Sequence, residues 1–99
     1  MKYQMEEITE DTLKKIIHNA LHKGGFIIPN HASERMSERG YSSRDVIYIL
    51  KNGCLTETAI HKGQNRYTLS GEDLDGHAGT VVVELRGSNE KVILVTVKK

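Results

Sequence analysis

The chain has no tryptophan, one phenylalanine, one proline and one cysteine among its 99 residues. Without large aromatic side chains its core must be built from aliphatic ones. Cys54 stands alone, so no intramolecular disulfide can form, and a single thiol fits a reducing compartment. Placed first in a predicted strand, Cys54 is expected to be a small buried hydrophobe rather than a nucleophile. No apolar run approaches the ~18 residues of a membrane span, so no membrane partner is expected. Charge of one sign is also lacking. Lys and Arg number 14 against 13 Asp and Glu, a net charge of +1, so any cationic site must be local. The opening MKYQMEEITEDT is acidic and has no apolar run after it, unlike a signal peptide, so the expected location is cytoplasmic.

The length predicts one domain over residues 1–99, with residues 1–8 polar and flexible. Thr9 can cap a helix that opens with Glu10 and Asp11. Leu13, Ile16, Ile17, Ala20 and Leu21 follow helical periodicity, and Gly24-Gly25 ends it. Phe26–Pro29 reads as a brief extended segment. Asn30 then caps a short helix that stops at Gly40. Ser42, with Asp45 three residues on, caps a third helix carrying Val46, Ile47, Ile49 and Leu50 and ending at Asn52-Gly53.

Beyond residue 53 the period changes. Strands are predicted over 54–61, 66–70, 80–86 and 91–98, with turns at 62–65 and 87–90 and an acidic, Gly-rich loop at 71–79. Val92–Val97 is apolar on both faces, as in an inner strand. The expected class is α+β. Helices of the N-terminal half pack on one face of a mainly antiparallel four-stranded sheet.

The densest chemistry lies between Asn30 and Gly40. His31, Arg35 and Arg39 recur every four residues and form one row up the helix, beside an apolar row of Ala32 and Met36. An imidazole with two guanidiniums suits a phosphate or another polyanion. The same spacing also fits a solvated face on which Arg35 and Arg39 pair with Glu34 and Glu38.

From His31 to Gly53 the chain reads H-A-x-x-R-M-x-x-R-G-x-[ST]-x-x-D-V-x-x-[IL]-L-x-x-G. Arg66-Tyr67, the G-x-D-x-D-G loop from Gly71 to Gly76, Val81–Val83 and Val95-Thr96-Val97 follow in order. Over about residues 26–97 these motifs resemble a bacterial family of small domains of uncharacterised function. That family is related to the BrnT toxins and to the wider RelE/MqsR group of toxin ribonucleases. The resemblance implies a RelE/BrnT-like fold and a metal-independent endoribonuclease of a type II toxin–antitoxin pair, with no cofactor. Its implied partners are a cognate antitoxin and RNA or the ribosome.

Such cleavage needs a base for the ribose 2′-hydroxyl, an acid for the departing 5′-oxygen and cations around the phosphorane. Matching positions are His31, Arg35, Arg66 and Tyr67 as catalytic candidates, with Arg39, His61, Arg86 and Lys98 as substrate-binding candidates. If Tyr67 and Leu69 face the helices, Arg66 and Thr68 face the other way. Glu84, Arg86, Thr96 and Lys98 line that second face if register allows. At least two of His31, Arg35 and Arg39 are expected to share a polar site with Arg66. The alternative is a non-catalytic module of the same fold that binds protein or nucleic acid.

Three other arrangements read as structure. His18 and His22, four residues apart on the first helix, have metal-ligand spacing but lie opposite the apolar stripe with no third ligand nearby in sequence. The loop from Gly71 to Gly76 lacks the spacing and terminal Glu of a calcium site, and reads as a hairpin loop. Residues 32–50 could form a helix-turn-helix presenting Ser43, Arg44, Tyr48 and Lys51 to DNA, but the sheet needs those helices for cover.

Overall fold

A computed structural model describes residues 8–99; the expectation for the first eight residues lies, but for Ile8, outside the described residues. Three helices, α1 (Glu10–Lys23), α2 (Asn30–Arg39) and α3 (Ser43–Asn52), precede most of the sheet. The Thr9 side chain accepts from the Thr12 N–H at 3.1 Å, and Gly24 ends α1 in the left-handed region at φ 80°. Leu13, Ile17 and Ala20 form its buried stripe. In α3, Ser42 and Asp45 form a reciprocal capping box, with Asp45 N–H donating to Ser42 Oγ and Ser42 N–H to Asp45 Oδ2.

α2 differs from expectation at its start. Asn30 is already helical, and Pro29 occupies the cap position without any side-chain cap. The fixed proline φ of −69° sets the entry angle, and the Pro29 carbonyl accepts the first helical bond from Ser33 N–H at 2.9 Å. An Asn side chain is therefore not needed at the cap. The other end is as expected, with Gly40 at φ 73°.

The sheet has five strands, not four, in the order β1-β5-β4-β3-β2. They are β1 (Phe26–Ile27), β2 (Cys54–His61), β3 (Gln64–Glu72), β4 (Ala78–Arg86) and β5 (Lys91–Lys98). β2 to β5 form the antiparallel meander, and β1 adds in parallel to β5 through Phe26↔Val92 and Ile27↔Ile93. Two residues carry no period, so this strand is invisible in the hydropathy pattern. Its addition makes the sheet mixed and places β5 inside it, as the apolar run of residues 92–97 implies.

Two connections are shorter than expected. Lys62 and Gly63 both have positive φ (51° and 80°), the geometry of a two-residue hairpin turn, so β3 begins at Gln64. The acidic loop shrinks because Gly71-Glu72 pairs with Ala78-Gly79.

Register settles which side chains share a face. Tyr67, Leu69, Val81, Val83, Leu85, Val92, Leu94 and Val97 are cross-strand neighbours on one face, and all are buried. They form a single cluster with Leu13, Ile17, Ala32, Met36, Val46 and Ile49 from the three helices. The helices thus cover one face. Tyr41 follows α2 and joins this core, 6% exposed, and Gly79 leaves it room; a Cβ there would collide with the Tyr41 hydroxyl.

Candidate functional site: the uncovered face of the sheet

Among the described residues, no helix covers the opposite face of the sheet. Alternation places Arg66, Thr68 and Ser70 of β3 there, beside Thr80, Val82, Glu84 and Arg86 of β4. Ile93, Thr96 and Lys98 of β5 continue it on one side, and Glu57, Ala59 and His61 of β2 on the other. The row through the middle runs Ile27, Ile93, Glu84, Arg66, Ala59.

Glu84 is the unusual member. Its residue is 2% exposed although it lies on the uncovered face. Two guanidiniums close over it. Arg66 Nε donates to Oε1 at 3.0 Å, and Arg86 Nε donates to Oε2 at 2.6 Å. Burial pushes the Glu84 pKa up, but the hydrogen bonds and charges of Arg66 and Arg86 outweigh it and hold the carboxyl below its ordinary value. A group held ionised in this way cannot deliver a proton near neutral pH. It can hold two arginines in fixed orientation, which is the form in which guanidiniums bind phosphate oxygens best.

A ladder of hydroxyls crosses the other end of this face. Thr56 Oγ1 lies 3.3 Å from Ser70 Oγ, which lies 3.2 Å from Thr80 Oγ1. Lys98 pairs with Thr80 and extends the row. Arg66, Arg86, His61 and Lys98 therefore share one face, as the alternation implies.

The helical row is elsewhere. His31, Arg35 and Arg39 are exposed on α2, whose Ala32 and Met36 pack into the core on the covered side. Arg35 donates to Glu38 at 2.9 Å, with both side chains more than half exposed. The composite of Arg66 with His31, Arg35 or Arg39 is not formed, because the sheet stands between them. Tyr67 is also not at this site. It is 2% exposed on the core face, where burial raises the pKa of its hydroxyl. Adjacent residues of a strand point to opposite sides, so Arg66 and Tyr67 could not both serve one site. Cys54 is exposed, not buried, because its side chain falls on the uncovered face opposite Ser70.

Two further clusters contain ligand-type atoms. His18 and His22 stack edge to face with ring centroids 4.2 Å apart, both exposed on α1. Asp73, Asp75 and His77 bring ligand atoms within 4.8 Å of one another. There Asp73 is buried, and its Oδ1 accepts the N–H groups of Asp75 and His77 at 2.9 and 3.0 Å, which folds the loop.

Sequence reasoning placed Glu84 on this face but missed its role as the bridge between the arginines. One signal was present. A lone acid inside Val81-Val82-Val83-Glu84-Leu85 is rarely buried unless a cation meets it, and hairpin register brings Arg66 opposite.

The chain belongs to the family described as Domain of unknown function (DUF4258), whose family model matches residues 28–98. That span runs from just before α2 through β5 and leaves out α1. No curated protein and no solved structure matches the chain.

Proposed function

We propose that the uncovered face of the sheet is the RNA-binding and cleavage surface of a toxin-like endoribonuclease, related to the BrnT and RelE groups and partnered by an antitoxin in the cytoplasm. The observation that carries this reading is the Arg66–Glu84–Arg86 bridge. A buried carboxylate holds two guanidiniums by their Nε atoms on a surface that no helix covers among the described residues. Among the described residues the remaining guanidinium nitrogens of Arg66 have no partner and can take a scissile phosphate, and the geometry suits the charge of a phosphorane.

In the reaction, the ribose 2′-oxygen attacks phosphorus, the bond from phosphorus to the 5′-oxygen breaks, and a 2′,3′-cyclic phosphate and a 5′-hydroxyl result. The 2′-hydroxyl proton leaves to a base, and the 5′-oxygen gains one from an acid. His61 is the candidate for one of these two transfers, since it shares the face with Arg66, and water exchanges the other proton. His31 is not, because α2 lies on the covered side.

The non-catalytic alternative keeps the same phosphate contacts and lacks the cleavage. It is favoured by one observation: the residues directly opposite Arg66 on the two neighbouring strands are Glu84, held ionised, and Ala59, neither of which can act as an acid, and His61 stands one same-face pair further along.

The test is incubation of the purified chain with single-stranded RNA and with translating ribosomes, with and without EDTA. Cleavage that survives EDTA, leaves a cyclic phosphate, and falls by about 100-fold or more in Arg66→Gln supports the enzyme. Arg66→Lys should restore part of it, since an ammonium lacks the fork. Binding without cleavage selects the module. Cleavage unaffected by Arg66→Gln removes the proposed site.

A further inference from the structure

A second surface lies outside the region just described, on the solvent side of α3. Arg44, Ile47, Tyr48 and Lys51 recur at the spacing of one helical face, opposite the buried Val46, Ile49 and Leu50. Leu74, from the β3–β4 loop, completes an open groove of about 330 Å³ that these five residues line. Tyr48 is 40% exposed and Leu74 52%, two of the four large hydrophobic side chains left open to solvent among the described residues.

The groove is built rather than incidental. Leu74 N–H donates to Asp45 Oδ1 at 3.2 Å, so the capping residue of α3 also holds the loop leucine against the helix. The bonds from Ser42 N–H and Leu74 N–H keep the Asp45 carboxyl below its ordinary pKa against the opposing effect of burial. At the two ends of the apolar floor stand Arg44 and Lys51. Neither forms an ion pair among the described residues, and the five lining residues include two cations and no carboxylate, the adjoining Asp45 carboxylate being taken up by the Ser42 and Leu74 N–H groups. Seven residues of helix separate them, roughly 10 Å along the axis.

We infer that this groove docks an amphipathic acidic helix of a partner protein, one that presents apolar side chains between two carboxylates seven residues apart. Ile47, Tyr48 and Leu74 would cover the apolar stripe, and Arg44 and Lys51 would meet the carboxylates. A nucleic acid fits less well, because a phosphate backbone gains nothing from Leu74 and Ile47. The inference does not rest on the ribonuclease reading. The groove and the uncovered sheet face share no residue.

The test uses the isotope-labelled full chain and a synthetic helical peptide with a Leu-Leu pair between Glu residues seven apart. A second peptide carries Lys in place of Glu. The expected result is saturable shift changes at Arg44, Ile47, Tyr48, Lys51 and Leu74 with the acidic peptide only. The double variant Arg44→Glu, Lys51→Glu should weaken the acidic peptide by roughly tenfold or more and gain affinity for the basic one. Both substitutions are at exposed positions, and an unchanged spectrum elsewhere verifies the fold. Shifts of equal size with both peptides, or with neither, overturn the inference. Shifts at the same residues with single-stranded RNA in place of the peptide overturn it in favour of nucleic acid.

Discussion

The molecule carries two groups of arginines that look alike in sequence and differ in structure. On α2, Arg35 meets Glu38 with side chains 51% and 57% exposed. On the uncovered sheet face, Arg66 and Arg86 meet Glu84, whose side chain is 3% exposed. Both are arginine–carboxylate pairs with short contacts. In the first, water screens the charges, and both side chains keep most of their freedom. In the second, the carboxylate has no water to turn to, so it fixes its partners. The burial of the counter-charge, rather than the number of cations, is what separates a solvated face from a preorganised clamp.

Tyr67 sharpens this comparison most strongly, since it adjoins Arg66 yet belongs to the core. Tyr67→Ala should cost about 3–5 kcal/mol of unfolding free energy in denaturant titrations. Tyr67→Phe should stay within roughly 1 kcal/mol of the parent and leave RNA binding or cleavage intact. Loss of activity without loss of stability in Tyr67→Phe would return the hydroxyl to the site.

Glu84 comes next. Glu84→Gln should cost about 1–3 kcal/mol, because a buried charged hydrogen-bond acceptor is replaced by a neutral amide. Its folded-state pKa lies below the ordinary value, so its stabilisation is complete above the ordinary carboxylate range. It is lost as pH falls through that range and then through the lower folded pKa. Melting temperatures of the parent should therefore decline on acidification more steeply than those of Glu84→Gln. Parallel declines would mean that the bridge contributes little.

The smallest effect belongs to the helix. Arg35→Ala should change stability by no more than about 0.5 kcal/mol, and high salt should erase the difference. A larger, salt-resistant loss would break the contrast between the two groups.

Much of this architecture was legible. The helices and the edges of β2 and β5 follow from periodicity, glycine stops and the Ser42/Asp45 capping box. Ser42→Ala is expected to cost about 1 kcal/mol, against a few tenths for Asn30→Ala, which caps nothing. The extended segment at Phe26–Pro29 was legible, but its pairing as β1 was not, because that depends on the long-range partner β5. The open-face set of Arg66, Arg86 and Lys98 followed from alternation, whereas the face of His61 came only from the register of β2 against β3. The joining of His31, Arg35 and Arg39 to it did not hold, since helical spacing reports one face of a helix and not the side of the sheet on which that helix lies. Cys54 failed for a related reason: its place in a strand was right, but its face was the uncovered one.

The most direct test is the affinity of a fluorescent single-stranded RNA, measured by anisotropy over a range of salt concentrations, for three proteins: the parent, the double variant Arg66→Gln, Arg86→Gln, and the double variant Arg35→Ala, Arg39→Ala. With folding verified by circular dichroism, the sheet-face variant should bind at least tenfold more weakly. Its salt slope should be shallower by about 1.4, two phosphate contacts at roughly 0.7 each. The helix variant should match the parent. Loss of binding in the helix variant, with the sheet-face variant unchanged, would contradict the assignment of the phosphate clamp to Arg66, Glu84 and Arg86.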